Sequence, residues 1–244
     1  GVGFYSAFMV ADKVEVLTRK AGEDKAWLWS SDGRGEYTIE ETERDARGTT
    51  VTVHLTKDEK EFVDPERVRH IVKVHSDHVE IPVMLVDPEK EEKLNSASAL
   101  WTRSKSEIKD EQYKEFYKHV SHSFDDPWLA IHNKVEGVLS YTNLLFIPSM
   151  RPLDLFNPER KMHVKLYVKR VFITDDSEGI IPAYLRFLRG VVDSEDLSLN
   201  ISRETFQHDP KITKIRSGLV KRVLGELKKK ADKVPDEYKT LWEN

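Results

Sequence analysis

The first third of the chain alternates. Stretches 13–18, 26–30, 36–39 and 49–55 place apolar or β-branched side chains at about every second position, with Gly, Asp and Ser clusters between them. A period of two predicts four antiparallel strands. The period then lengthens. Asp64 and Pro65 supply a cap residue and a proline at the first helical position, and Val68, Ile71, Val72 and His75 follow on one face. A helix packed on the sheet is expected there. Residues 81–86 read as a last strand, and 87–93 (DPEKEEK) as a run of charge and proline with nothing to bury.

Beyond that run the pattern starts again. Tyr113, Phe116, Tyr117 and Val120 predict a helix over 110–122. Stretches 138–147 and 163–173, rich in β-branched and aromatic residues, predict strands on either side of a long loop, 148–161, which holds Pro148, Pro152 and Pro158. Residues 183–189 look helical. Ile212, Ile215, Leu219, Val223 and Leu227 recur at steps of three and four, so 211–233 is a helix, which Pro235 ends. No fixed-period repeat occurs. The fold class expected is α+β, twice over.

Length agrees with two bodies, since 244 residues exceed the usual size of one core. The charge agrees too: 14 basic against 21 acidic residues run through Lys93, and 25 against 22 follow it. The first body is therefore acidic and the second mildly basic, and neither carries the large surplus of a phosphate-tracking nucleic-acid binder. No nucleic acid is expected as a partner. The absence of cysteine excludes disulfides and thiolate chemistry. No apolar run reaches the roughly 18 residues that cross a bilayer, so no membrane partner is expected. The boundaries expected are 1–86, a charged linker at 87–96, and 97–244. Gly1 falls inside a glycine turn, so the sequence is expected to be an internal piece of a longer protein.

Several groups of residues carry candidate chemistry. Gly1-Val2-Gly3-Phe4 leads into a helical run, and such a turn can aim backbone N–H groups at phosphate oxygens, although read alone it is equally an ordinary bend. Trp101, Leu153, Leu155, Phe156 and Phe172 are apolar side chains near the linker, in the long loop and on a strand, and exposure would let them touch another polypeptide. The alternative is that they fold back onto their own domain, the favoured reading for Phe172. Lys228, Lys229 and Lys230 are interleaved with an apolar stripe and with Glu226 and Asp232, which fits a solvated packed helix. His70, His75 and His78 lie close in sequence without a matching carboxylate pair, so no metal site is expected.

The block GVGFYSAFMVADKVEV resembles the glycine turn and following helix of the ninety-kilodalton heat-shock chaperones, bacterial members in particular. RGTTVTVHL, ALWTRSKSEI, YKEFYKHV, LLFIPSMRPLDLF, KLYVKRVFITDD and YLRFLRGVVDSEDLSLNISRE follow that family in order and cover nearly the whole chain. The resemblance implies the C-terminal part of a GHKL-type ATP-binding sandwich, then an αβα-layered middle domain. It implies an ATP-dependent cytoplasmic chaperone of the stress response that closes on unfolded client proteins, with ATP or ADP and Mg2+ as cofactors, cochaperones as partners and a homodimer formed elsewhere in the parent. Gly1, Val2, Gly3 and Phe4 would contribute the phosphate turn, and Thr49 would face the adenine environment. Arg203, in Asn200-Ile201-Ser202-Arg203-Glu204, would reach the γ-phosphate with Gln207 in support.

The resemblance also implies gaps. The family's catalytic glutamate, magnesium-binding asparagine and adenine-reading aspartate precede the glycine turn, so this chain alone would bind nucleotide weakly and be inactive. Ser198 stands where the family commonly has proline, and Thr205 and Phe206 where it has aliphatic residues. Two other readings stay open: a GHKL-type DNA-processing ATPase, or a client- or cochaperone-binding module with no nucleotide of its own.

Overall fold

A computed structural model describes residues 2–88, 90–152, 155, 157, 163–176, 179–199 and 209–243, with Val2 described in its backbone only. The described residues mix helices and sheets in an α+β arrangement. They form two compact units, Gly1–His70 and Ile71–Asn244.

In the first unit, the helical turn α1 (Val2–Tyr5) and a 3-10 turn precede strands β1 (Ala11–Arg19), β2 (Ala26–Ser31), β3 (Tyr37–Thr42) and β4 (Gly48–Leu55). These pair antiparallel in the order β3-β2-β1-β4. The register places Val14, Val16, Trp29, Ile39, Val51 and Val53 on one face, as the alternation requires. Phe4 and Phe8 pack on that face through Trp29, at ring separations of 5.7 and 6.4 Å. Most of the face is nevertheless open: Ile39 is 55% and Val51 48% exposed.

Helix α2 (Pro65–His75) forms where expected, with Val68, Ile71 and Val72 half-buried and none of its residues fully buried. The expected last strand shrinks to β5 (Met84–Val86), which pairs with β6 (Glu91–Lys93) in a two-stranded sheet of its own. Residues 87–96, expected as a linker, thus hold the turn and return strand of a hairpin. Backbone pairing needs no apolar side chain. Asp87 accepts from Lys90 N at 2.9 Å, and buried Asn95 stitches the base by donating to the Val79 and Ile81 carbonyls at 3.0 Å each.

The second unit is built on a five-stranded sheet. Helix α3 (Asp110–Ser121) is followed by β7 (Pro127–Val135), β8 (Tyr141–Pro148), β9 (Val164–Val168), β10 (Val171–Thr174) and β11 (Arg189–Ser194). Their order is β10-β9-β11-β8-β7, with β11 parallel to β9 and every other pair antiparallel. Helices α4 (Pro210–Lys233) and α5 (Pro235–Glu243) complete it. The α4 stripe of Ile212, Ile215, Leu219 and Val223 packs with Leu145, Ile147, Leu166 and Val192 on one sheet face. Tyr117, Val120 and Trp101 pack with Leu144, Phe146, Tyr167 and Val191 on the other.

Several expectations change here. The stretch 163–173 divides into β9 and β10 around Lys169 and Arg170, both at positive φ (50° and 65°). The helix expected over 183–189 is a 3-10 turn, Ala183–Leu185, and Arg189 already belongs to β11. Strands β7 and β11 show no period-two alternation in the sequence. Every residue of β11 is buried, Arg189, Asp193 and Ser194 as well as Val191 and Val192, so its two faces leave no alternation to read. Pro235 begins α5 as well as following α4.

Two glycines in α4 set a measurable contrast. A Cβ at Gly218 would collide with Tyr141 Oη, whereas one at Gly225 meets nothing within 4 Å. Gly218→Ala should destabilise the protein by about 1–3 kcal/mol, and Tyr141→Phe in the same chain should recover most of the loss. Gly225→Ala should instead stabilise by roughly 0.5–1 kcal/mol. Urea denaturation of the variants measures both; equal effects at the two positions would contradict the packing described.

Candidate functional site

Two places in the chain gather chemistry, one in each unit. In the first, Thr49 opens β4 opposite Thr18, and their hydroxyl oxygens lie 2.8 Å apart. The register puts this pair on the same sheet face as Val16, Val51 and Trp29. Phe4, contacting Trp29, lays α1 over that face as well. The structure therefore brings Gly3, Phe4 and Thr49 to one side of one sheet. Ser6 Oγ donates to the Gly3 carbonyl at 2.6 Å and ties the turn to the helical run. Behind the pair, Arg44 donates to Thr50 Oγ1 at 2.7 Å and Arg19 to the Arg44 carbonyl at 2.8 Å, which fixes the loop before Gly48. A partly exposed hydroxyl pair beside an apolar floor suits a flat ligand with a polar edge. Gly1 and the Val2 side chain lie outside the described residues, as do Leu153, Phe156, Arg203, Gln207 and the whole Asn200–Glu204 motif.

In the second unit the centre is Trp101. Its side chain is 1% exposed, so the expectation that it is presented to other polypeptides is corrected. The indole Nε1 donates to Asp193 Oδ2 at 2.8 Å. His78, Tyr167 and Phe116 surround the ring at centroid separations of 4.6, 4.9 and 5.8 Å. Two imidazoles brace the backbone alongside: His132 Nε2 lies 2.8 Å from the Trp101 carbonyl, and His78 Nδ1 2.7 Å from that of Ser98. Tyr113 Oη lies 2.8 Å from His132 Nδ1. Each imidazole therefore donates to a carbonyl, and that of His132 accepts from the tyrosine. Phe172 is half-buried against Tyr167 and His75, folded back onto its own domain.

Burial governs titration here. Desolvation pushes His78 and His132 below the usual imidazole value, against the hydrogen bonds to Ser98 and Trp101. Desolvation also pushes Asp193 up, against the donors Trp101 Nε1 and Arg170 N. Asp193, His132 and Thr18 were not picked out by sequence, and His78 was considered only with His70 and His75 for a metal site. For Asp193 a signal was present, an acid directly after Val191 and Val192, whereas Thr18 is marked only by its register partnership with Thr49. Among the described residues no group of three His, Asp or Glu is placed to hold a metal ion.

The second unit also carries an apolar groove of about 450 Å³ at the end of β8. Leu155 lines it together with Met150, Tyr184, Phe187, Leu224 and Trp242. Of the three described residues among those expected to meet another polypeptide, Trp101, Leu155 and Phe172, Leu155 lines this groove.

The family model described as Hsp90 protein matches residues 87–244. Curated relatives named Chaperone protein HtpG align along the whole chain. That of Roseobacter denitrificans is 62% identical over 244 residues, which is 100% of this chain and 39% of the relative. That of Paramagnetospirillum magneticum is 62% identical over 243 residues, 99% of this chain and 39% of the relative. That of Rickettsia bellii is 59% identical over 247 residues, 100% of this chain and 40% of the relative. The chain spans about two fifths of the length of the curated relatives it matches.

The buried imidazoles give a pH dependence with a defined sign. Their folded-state values lie below the free value of 6.5, so the unfolded chain takes up protons first as pH falls. Stability should be full above that value and decline as pH drops through it. The urea midpoint of the second unit should be lower at about pH 5.5 than at about pH 7.5, and His78→Gln with His132→Gln should flatten the difference. Asp193, which burial pushes up, acts in the opposite sense. A midpoint that held or rose on acidification would contradict the arrangement.

Proposed function

The chain belongs to the Hsp90 protein family, and on that premise we propose that it is part of an ATP-dependent molecular chaperone that closes on non-native client proteins. The observation that carries the reading is the end-to-end likeness, at 58–62% identity, to relatives named as chaperones. Residues 1–86 are read as the C-terminal part of a GHKL-type nucleotide-binding domain, 87–96 as the charged connection, and 97–244 as an αβα-layered middle domain.

The first unit offers part of a nucleotide pocket. Its Thr18–Thr49 hydroxyl pair stands on an apolar sheet face with the glycine turn laid over it, which fits the edge of a purine and, at the turn, a phosphate. Gly3 leaves open space where a Cβ would stand, so backbone N–H groups can approach an anion closely. Magnesium ligation and the general base are assigned, by the family pattern, to residues preceding this stretch. Bound ATP with Mg2+ supplies the cleavable anhydride and the drive for domain closure.

Arg203 is the residue assigned to the phosphate being cleaved. A guanidinium is charged at every working pH and presents two parallel donors to phosphate oxygens, where charge is redistributed in the transition state. Gln207, four positions on, supports it. Clients meet the middle domain, cochaperones and a homodimer complete the working assembly, and the cytoplasm is its compartment.

Two measurements test this reading. In a protein of the relatives' full length carrying this sequence, Arg203→Ala should lower ATP turnover by roughly 10²-fold or more while nucleotide affinity stays within a few-fold. Arg203→Lys should resemble alanine, because an ammonium cannot reproduce a two-pronged contact. Wild-type turnover in Arg203→Ala, with an unchanged thermal melt, would remove the assignment. Separately, the 244-residue chain should bind ATP more weakly than micromolar in a calorimetric titration. Micromolar affinity would show that the pocket is complete within these residues.

A further inference from the structure

The connection between β2 and β3 turns through Asp32-Gly33, the one Asp-Gly pair in a sequence that has no Asn-Gly pair. Residues 32–36 are all exposed to water. Gly33 and Gly35 stand at φ of 77° and 103°, and a Cβ at Gly33 would lie 2.7 Å from the Phe8 ring. The turn is therefore set against Phe8, which packs in its turn on Trp29.

Two hydrogen bonds hold a nucleophile and an electrophile in this turn. Arg34 N donates to Asp32 Oδ1 at 2.9 Å, which folds the carboxyl back over the intervening peptide and carries Cγ toward Gly33 N. Gly33 N donates to Ser31 Oγ at 3.0 Å, so a hydroxyl stands where it can take the proton that this nitrogen must lose. Ser31 Oγ itself donates to the Glu36 carbonyl at 2.6 Å, which leaves its lone pairs for Gly33. With no side chain on Gly33, nothing on that residue shields its nitrogen. A carboxyl polarised by one amide and an amide paired with a proton acceptor are the parts of a ring closure.

We propose that Asp32 is a site of spontaneous isoaspartate formation, a covalent change in the main chain of the first unit that needs water and no enzyme or cofactor. Gly33 N bonds to Asp32 Cγ, its proton passes through Ser31 Oγ to solvent, and the carboxyl hydroxyl leaves as water, giving a cyclic succinimide. Water then opens the ring. Breaking the bond from nitrogen to Cγ restores aspartate, and breaking the bond from nitrogen to the original main-chain carbonyl leaves the chain running through Cβ and Cγ. No atom is oxidised or reduced. The isomer's main chain is one atom longer, and its free carboxylate is the former main-chain carbonyl. Along that longer path Gly33 cannot keep its place against Phe8, so the change reaches Trp29 on the sheet face where Phe4 also packs.

The test follows the 244-residue chain over weeks at neutral pH. Trypsin, cutting after Lys25 and Arg34, releases peptide 26–34, and the isoaspartyl form has the mass of its parent but elutes apart from it. A sample digested at time zero sets the background. Isomer at Asp32 should exceed that at every other aspartate about tenfold or more. Ser31→Ala should slow its formation several-fold in the folded chain and leave it unchanged in the synthetic peptide 26–34. Ser31→Thr, which keeps the hydroxyl, should hold the original rate, with thermal melts as the control for folding. Accumulation at Asp32 no greater than at other aspartates, or a folded-chain rate indifferent to loss of the Ser31 hydroxyl, would overturn the proposal. So would a folded chain that isomerises more slowly than the free peptide, because the turn would then protect the bond rather than prime it.

Discussion

A carboxylate in the core organises the second unit. Asp193 is 3% exposed, yet it stands on the central strand β11 and accepts from Trp101 Nε1 at 2.8 Å and from Arg170 N at 3.2 Å. A buried acid without donors costs several kcal/mol, so both partners are held in place by its need for them. Through Trp101 it anchors the segment that follows the β5–β6 hairpin. Through Arg170 it fixes a turn in which two bulky residues adopt left-handed backbone angles, a conformation that ordinarily calls for Gly or Asn. The Arg170 side chain then reaches Glu80 at 2.7 Å, so the same turn also holds the stretch that precedes the hairpin.

The two units use the same alternation to different ends. In the second unit, both sheet faces are covered, by α4 on one side and by α3 with Trp101 on the other, and fully buried side chains are common. In the first unit, the apolar face of β1–β4 meets Phe4 and Phe8 and little else, and its buried apolar residues are Ala11, Val14 and Ala26. A sheet covered on both faces is a rigid platform.

What the sequence disclosed follows from which face water sees. The strands β1–β4 and the stripe of α4 were legible because one side of each is solvated and the pattern records it. β11 was not, since Val191 and Val192 point into opposite cores and both must be apolar. Trp101 misled because its neighbours Thr102, Arg103 and Ser104 are polar, while its partners, Asp193 and Tyr167, lie far along the chain. Thr49 was placed by family resemblance, and its register partner Thr18 emerged only from the pairing of β1 with β4. The arginine and glutamine at 203 and 207 rest on motif alone, as they lie outside the described residues.

The position of β11 has a consequence for how the chain is made. It is the last strand of its sheet in sequence, yet it fills the centre, pairing with β9 on one side and β8 on the other. A ribosome that has released residues through Val171–Thr174 has therefore produced two half-sheets with no strand to join them. Each exposes an unpaired edge and apolar surface until Arg189–Ser194 emerges and closes the gap. At about 5–20 residues per second that interval lasts on the order of a second, long enough for edge-to-edge association with other nascent chains. The topology that gives the finished sheet its buried centre makes its half-made form a substrate for the class of protein this family is.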